Sequence, residues 1–291
     1  MKPDETLSQP VIDLYDEYTH APLDRREFMR RLAVLAGSSA AAYALLPVLE
    51  NNYAHAALTQ PDDKRLVTES VAFNAKHGTL KAYLARPAKA GKRGSVLVIH
   101  ENRGLNPHIQ DVARRVALAG YNAMALDFLS PLGGTPENED EARALFSKLD
   151  RVQTAENGLA ALAELNARPE ANGRLGAVGF CWGGGMVNQM AVYAPDLDAA
   201  VCFYGVAPDL ALVPQIKSRL MLHYAGVDER INAGRAAYES ALTSAGIRFE
   251  SFLYEGKQHA FHNDTNAARY DKASAELAWN RTIQLFKKTL A

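Results

Sequence analysis

From residue 66 onward, short runs of apolar residues alternate with longer stretches in which apolar residues recur at helical spacing. Several runs, such as Val96-Leu97-Val98-Ile99, are apolar throughout, which is typical of strands covered on both faces of a parallel sheet. The pattern predicts strands over residues 66–74, 79–85, 95–100, 122–127, 174–180, 199–204, 220–224 and 248–253. It predicts helices over residues 107–119, 137–149, 153–166, 184–194, 232–245 and 269–289.

The order of these elements indicates the fold class. No helical stretch separates the first two predicted strands, and Gly78 lies between them, so we expect an antiparallel hairpin. After the hairpin, strands and helices alternate, which favours a mostly parallel, doubly wound sheet flanked by helices. The sequence therefore predicts one α/β domain over residues 57–291, with no linker that would divide it.

The first 56 residues have a different pattern, which is typical of a secretory signal. Arg25 and Arg26 precede an uncharged, Ala- and Leu-rich stretch over residues 32–49, and Ala54-His55-Ala56 is a small-x-small cleavage site. The arginine pair resembles the twin-arginine type, which export machinery reads as an address. We therefore expect a periplasmic or secreted protein that begins at Ala57 after cleavage. The alternatives are a retained membrane anchor, because about 18 apolar residues approach a spanning length, and an ordinary amphipathic helix.

Composition and charge exclude several classes. Apolar residues make up 48% of the chain and charged residues 22%, which is typical of a globular protein. The net charge of −1 lacks the basic excess of a nucleic-acid-binding surface. Two cysteines, Cys181 and Cys202, are too few for a disulfide scaffold or a cysteine-rich zinc site.

The stretch Gly179-Phe180-Cys181-Trp182-Gly183 is the most informative in the chain. It follows a predicted strand and precedes a predicted helix, in the G-x-C-x-G pattern of a nucleophile elbow with sulfur in place of the serine oxygen. Glycines two residues on either side allow the strand and the helix to approach at a strained turn. A helix N-terminus also favours a thiolate. The sequence thus predicts that Cys181 is a nucleophile, against the alternative of a buried structural cysteine.

A base and an orienting acid follow in the order expected for an α/β-hydrolase. Asp228 comes a few residues after the strand predicted at 220–224, and His259 a few residues after the one at 248–253. Glu229 and His262 are the competing residues, and whichever of each pair is not catalytic is expected to be a solvated loop residue.

The Gly-Phe-Cys-Trp-Gly-Gly stretch, the Ala-Gly-x-Asp loop and the His-Ala-Phe stretch resemble the dienelactone hydrolase (carboxymethylenebutenolidase) family from about residue 66 to the C-terminus. The resemblance implies an α/β-hydrolase with Cys181 as nucleophile, His259 as general base and acid, and Asp228 as its orienting acid. It also implies that Glu101 controls the protonation of Cys181. Backbone N–H groups of Trp182 and Asn102 would then form the oxyanion hole.

The substrate prediction departs from the family. The family holds an anionic substrate with arginines after the fourth strand and four residues beyond the histidine, where this chain has Phe128-Leu129 and Asn263. Phe128, Trp182, Tyr204 and Phe261 are instead expected to form an apolar, aromatic pocket wall, which suits a neutral or aromatic ester. Arg103 could supply a positive charge in place of these arginines, although a lone loop arginine is more often exposed to solvent.

The predicted reaction is therefore hydrolysis of an ester or lactone through a thioester, without metal or other cofactor. No H-E-x-x-H motif is present, and His259 and His262 lack an evident third ligand. An inhibitory disulfide between Cys181 and Cys202 is disfavoured, because Cys202 lies in the middle of a predicted strand. The alternative function is a non-catalytic small-molecule-binding module on a hydrolase scaffold.

Overall fold

The computed structural model describes residues 7–53 and 58–291. Its centre is an eight-stranded sheet in the order β1-β2-β4-β3-β5-β6-β7-β8. The strands are β1 (Leu66–Ala75), β2 (Gly78–Pro87), β3 (Arg93–Ile99), β4 (Asn122–Asp127), β5 (Ala171–Phe180), β6 (Ala199–Phe203), β7 (Arg219–Val227) and β8 (Phe249–Gln258). The helices are α1 (Gln9–His20), α2 (Arg25–Ala36), α3 (Ser39–Leu49), α4 (Pro107–Leu118), α5 (Glu139–Phe146), α6 (Arg151–Ala167), α7 (Trp182–Tyr193), α8 (Glu229–Asn232), α9 (Arg235–Ser244) and α10 (Lys272–Thr289).

The antiparallel hairpin predicted at the start of the sheet is confirmed. β1 pairs with β2 from Leu66 opposite Pro87 to Ala75 opposite Gly78. Gly78 has φ of 119°, in the left-handed region that a glycine occupies without strain. β2 also pairs antiparallel with β4, and from β4 through β8 every neighbouring pair is parallel. The sheet is therefore mostly parallel, as the alternating pattern predicts.

Both faces of the sheet are covered, which explains the continuous apolar runs. In β3, Val96 and Val98 belong to one buried cluster with residues of α4 and α10, whereas Leu97 and Ile99 belong to another with residues of α6 and α7. Because successive side chains of a strand point to opposite faces, a strand buried on both sides needs an apolar residue at every position.

Two predicted helices differ from the structure in their bounds, and polar caps explain one of them. The helix predicted from residue 269 begins at Lys272, because the Asp271 side chain accepts a hydrogen bond from Ser274 N and caps it. The helix predicted over 232–245 is divided into α8 and α9, with Gly234 at the break. The other predicted helices agree within a few residues.

The N-terminal segment, residues 7–53, folds as three helices with a core of its own. Tyr15, Tyr18, Phe28 and Leu32 are among its buried residues. The segment is joined to the α/β domain, residues 58–291, by hydrogen bonds that include Asn52 N to Thr265 O (2.8 Å).

The predicted cleavage site at residues 54–56 and the predicted new N-terminus at residue 57 lie outside the described residues. Within the described residues, no single helix is long and apolar enough to cross a bilayer, although α2 and α3 together reach that length with a bend of 108° between them. The twin-arginine signal stays a prediction.

Candidate active site

Cys181 lies on a tight turn between β5 and α7. Its φ of 55° is unusual for a residue with a side chain, and it is the residue that precedes the first turn of α7. A Cβ atom on Gly179 would lie 2.1 Å from Gly183 O, and one on Gly183 would lie 2.4 Å from Ile99 O. The flanking glycines are therefore required by the close approach of strand and helix, as the elbow pattern predicts.

His259 and Asp228 meet at the carboxyl ends of β8 and β7. His259 Nδ1 lies 2.6 Å from Asp228 Oδ2, and both side chains are buried. This contact fixes Nδ1 toward the carboxylate and leaves Nε2 directed to the cysteine side of the site. The competing Glu229 is the exposed first residue of α8. The structure therefore pairs the two residues that sequence order favours.

The expectation for His262 was wrong. We expected a solvated loop residue, but His262 is only 1% exposed and stacks on Phe180 with ring centroids 5.0 Å apart. Burial lowers its pKa well below the ordinary value, with Arg115 as a further cause, so the ring is neutral and serves as part of the core. Strand-end position alone did not distinguish a packed imidazole from an exposed one.

A third residue at Cys181 comes from the N-terminal segment, and sequence reasoning missed it. His20 Nε2 lies 3.1 Å from Cys181 Sγ. The His20 and His259 rings meet edge to face, with centroids 4.7 Å apart. His20, Cys181 and His259 each offer one nitrogen or sulfur atom, and these atoms all lie within 4.8 Å of one another. The cysteine thus faces two imidazoles.

The electrostatics of the cluster favour a thiolate. Burial by itself raises the pKa of the Cys181 thiol, but the nearby imidazoles of His20 and His259 outweigh it and lower the pKa to about 6. Burial likewise lowers the pKa of His259, while the charges of Cys181 and Asp228 outweigh this and raise it to about 10. Both shifts favour the ionised pair, a Cys181 thiolate beside a protonated imidazole, over the neutral thiol and imidazole.

Cys202 has the opposite environment. It is buried in β6, and burial raises the pKa of its thiol to about 12. Both cysteines are free, so the disulfide that the sequence disfavours is not formed in this structure. Cys202 is therefore an inert internal comparison for Cys181.

Glu101 lies directly after β3 and is 6% exposed. Its Oε2 accepts a hydrogen bond from Asn263 Nδ2 (2.8 Å), while Oε1 has no hydrogen-bond partner within the described ranges. Asn263, which occupies the position where the family has an arginine, therefore holds Glu101. Asn102, the candidate oxyanion-hole residue, directs its side chain to Thr19 O of the N-terminal segment (2.7 Å).

A cavity of about 740 Å³ opens onto Cys181. Trp182 and Tyr204 line it, as predicted, but Phe128 and Phe261 do not, and this part of the pocket prediction was wrong. Phe128 is fully buried behind Trp182, with ring centroids 5.4 Å apart, and Phe261 is fully buried against Tyr204 at 5.6 Å. Both phenylalanines support the wall from behind, because their strand-end positions place them in the core.

Sequence reasoning also missed cationic residues at this cavity. Arg143, Arg151 and Arg230 line it. Arg103, by contrast, is buried and lies 3.6 Å from Glu139, away from the cavity, so the expectation of a solvated loop arginine was wrong. The missed arginines lie on helices rather than at the strand ends where the family has its anchors.

The spacing of the cysteine cluster tests whether it suits a metal. Zinc prefers sulfur and imidazole ligands, but two such ligands on one tetrahedral ion stand about 3.5 Å apart, given bonds of roughly 2.3 and 2.0–2.1 Å. His20 Nε2 and Cys181 Sγ are closer, at 3.1 Å, which is a hydrogen-bond separation. In this structure the two residues therefore share a hydrogen bond.

The chain has an α/β sheet with a cysteine on a strand-to-helix turn, and an aspartate and a histidine follow at the ends of later strands. This arrangement defines the α/β-hydrolase class of structure. The chain belongs to the dienelactone hydrolase family, which residues 80–290 match. The protein is therefore an ester or lactone hydrolase. Residues 1–37 separately match the YqhI-like family.

Relatives and solved structures agree with this assignment. A Methylorubrum extorquens protein named "Putative carboxymethylenebutenolidase" is 30% identical over 89% of this chain and 93% of its own length. The "Putative hydrolase fragment YghX" of Escherichia coli K12 is 48% identical over 38% of this chain and 96% of its own length. The crystal structure titled "Putative Dienelactone Hydrolase" from Klebsiella pneumoniae matches with a TM-score of 0.70 and 26% identity, over 77% of this chain and 99% of that one.

Proposed function

We propose that the protein hydrolyses carboxylic esters or lactones through a covalent thioester on Cys181, with His259 moving the proton and Asp228 orienting His259. The observation that carries the proposal is the 2.6 Å contact between His259 and Asp228 beside a cysteine on a strained turn. A nucleophile, a base within reach of it and a third group that orients the base are the parts that acyl transfer requires.

The proposed reaction has two steps. The Cys181 thiolate attacks the carbonyl carbon, and the bond from that carbon to the alkoxide oxygen breaks while the alkoxide takes a proton from the His259 imidazolium. A water molecule then gives a proton to His259 and attacks the thioester carbonyl, so that the C–S bond breaks and the thiolate returns. The sum is ester plus water to acid plus alcohol.

Two backbone donors are proposed to stabilise the oxyanion of both steps. Trp182 is the first residue of α7, and the N–H groups of a first helical turn have no acceptor within the helix. Asn102 N is the second proposed donor. Removing one oxyanion donor in comparable sites costs about 3 kcal/mol, so this geometry contributes strongly to the rate.

For the substrate, we propose a neutral or aromatic ester or lactone. The Trp182 ring lies next to Phe146, with centroids 4.8 Å apart, and both residues line the cavity with Met186. These side chains offer an apolar surface for the acyl or alcohol group. Arg151 and Arg230 at the same cavity make a carboxylated substrate the natural comparison in a substrate panel.

The test measures kcat/KM for neutral aryl esters, neutral lactones and a carboxylated dienelactone with wild type, Cys181→Ala and Cys202→Ala. We expect Cys181→Ala to lose at least about a thousandfold, as loss of a nucleophile does in comparable triads. Cys202→Ala is the matched control and should keep activity within about threefold, because Cys202 is buried away from the cavity. Binding without turnover by the wild-type protein would support the binding-module alternative instead.

We propose separately that the protein is exported by the twin-arginine route and that, in place of the cleavage expected before Ala57, it keeps its N-terminal segment. The proposal is supported by Arg25 and Arg26 before an uncharged stretch and by the packing of the segment on the folded domain. Cell fractionation with intact-mass measurement tests it. A periplasmic protein of full-length mass is expected, and a cytoplasmic protein or one beginning at Ala57 would contradict it.

A further inference from the structure

We propose that His20, supplied by the N-terminal segment, is a second imidazole of the active site, which holds the Cys181 thiolate as an ion pair while His259 transfers the proton. This inference deepens the proposed function and rests on it. The N-terminal segment then contributes a residue to the active site.

The contact geometry is the first support. His20 Nε2 lies 3.1 Å from Cys181 Sγ, at hydrogen-bond distance, while the nitrogen that His259 offers lies within 4.8 Å of the same sulfur. His20 therefore makes the direct contact with the sulfur in the resting site. His259, beside it, remains free to exchange a proton with substrate or water.

The second support is the environment that keeps His20 charged. Its Nδ1 lies 2.9 Å from Asp16 O and 3.1 Å from Asp16 Oδ1. Each of the two histidines therefore has an aspartate carboxylate beside its Nδ1, Asp16 at His20 and Asp228 at His259. His20 is also the last residue of α1, where the helix dipole favours a cation.

Burial alone lowers the pKa of His20, but the Cys181 charge and Asp16 outweigh it and raise the pKa. The titratable and charged groups that face His20 are Asp16, Cys181 and His259, and Arg269 lies behind Asp16 at 3.6 Å.

The third support is that the segment forms one wall of the cavity without filling it. Residues 19–23 of the segment line the cavity of about 740 Å³ together with Cys181. A plug that blocked the thiol would leave no such space beside it. The segment therefore fits the role of a component that shapes the substrate site.

The fourth support is that hydrogen bonds hold the C-terminal end of α1 on the α/β domain. Arg143 donates a hydrogen bond to Tyr18 O, and its guanidinium lies 4.0 Å from the Tyr18 ring centroid. The Tyr18 hydroxyl donates to Asp140 (2.7 Å), and Asn102 donates to Thr19 O (2.7 Å). Side chains on two separate parts of the domain thus hold the two residues before His20.

In the proposed cycle, His20 keeps its proton throughout. Its N–H donates to the sulfur whenever Cys181 is a thiolate, before attack and again after the C–S bond of the thioester breaks. His259 gives the proton to the departing alkoxide and takes one from water. No atom is gained or lost through His20, whose effect is to stabilise the thiolate as attacking and as leaving group.

The test uses the full-length chain with His20→Gln and His20→Ala, and Arg31→Gln as the matched control in the same segment, since Arg31 pairs with Glu17 at the surface. The first measurement is the rate of Cys181 alkylation by iodoacetamide against pH, with thermal melting to verify folding. We expect the midpoint for His20→Gln to rise by at least about one unit toward the roughly 8.5 of an ordinary thiol. Arg31→Gln should leave it unchanged.

The second measurement is kcat/KM with and without added imidazole. We expect kcat/KM of both His20 variants to fall about tenfold to a hundredfold. This is at or below the lower end of the effect of losing a general acid or base, because His20 does not transfer the proton. Imidazole should restore part of the His20→Ala activity, because the deletion leaves space for it in the cavity wall. Treatment of the wild type with a chelator should have no effect.

The outcomes separate this inference from the proposed function. A wild-type enzyme that hydrolyses esters, with an unshifted alkylation midpoint in folded His20→Gln, would overturn the role of His20 and leave the Cys181 mechanism standing. Absence of turnover by the wild type would instead overturn the proposed function. An active enzyme purified from its native host without residues 1–53 would also overturn the inference.

Discussion

Replacing Asp228 by Asn tests the energetic link between the proposed orienting acid, Asp228, and the proposed base, His259. The change keeps the size of the side chain and removes one charge from a buried contact of 2.6 Å with His259 Nδ1. At that separation two unit charges attract by about 6 kcal/mol at an effective dielectric constant of 20. The Asn carbonyl still accepts a hydrogen bond and the Cys181 thiolate stays in place, so we expect a net loss of about 3–4 kcal/mol.

That loss corresponds to a fall in kcat/KM of about a hundred- to a thousandfold, at 1.4 kcal/mol for each factor of ten. The pH profile should change as well. The pKa of His259 is about 10 because Cys181 and Asp228 outweigh the effect of burial, so removing the Asp228 charge moves the alkaline limb of kcat/KM to lower pH.

The assay is steady-state hydrolysis of an aryl ester across pH, with Glu229→Gln as the control that removes the adjacent, exposed carboxylate. The control should retain full activity and an unchanged profile. If Asp228→Asn kept kcat/KM within about twofold of wild type, with the same alkaline limb, the assignment of Asp228 as the orienting acid would be refuted.

Two further predictions concern the scaffold. Gly183→Ala should abolish most activity and destabilise the fold by about 1–3 kcal/mol, because the new Cβ lies 2.4 Å from Ile99 O. Gly185→Ala is the control, because its closest contact is the end of the Val206 side chain at 2.8 Å and the nearest backbone atom is at 3.6 Å. Equal melting and activity in both variants would contradict the elbow argument. Burial lowers the pKa of His223 to about 3. The neutral His223 ring therefore contributes fully to the free energy of unfolding above about pH 6.5, and this contribution is lost as the pH falls toward 3. At pH 5 the loss is about 2 kcal/mol. In His223→Gln, the free energy of unfolding should therefore depend less on pH between about 3 and 6.5 than it does in the wild type. An unchanged slope would show that His223 does not titrate this way.

The sequence predicts the sheet well, because each strand's character is a local property. The apolar run at residues 96–99 indicates burial on both faces, and Gly78 marks the hairpin turn. The antiparallel pairing of β2 with β4 was not predicted, because strand order depends on contacts between segments that no local pattern records.

The same distinction explains the site. Cys181 is identified by its own glycines, and Asp228 and His259 by their positions after strands, since the carboxyl ends of parallel strands share one edge of the sheet. His20 is 161 residues from Cys181 and lies on a helix outside the sheet, in a segment whose composition is typical of a signal. Its contact with the sulfur arises only from tertiary packing.

The most direct measurement of the central claim is to quench the enzyme during turnover of an aryl ester and locate the acyl group by peptide mass spectrometry. We predict one acyl group, on Cys181, that forms within the first turnover and is released at the steady-state rate. An acyl group on another residue, or rapid hydrolysis by Cys181→Ala at the wild-type rate, would contradict the account.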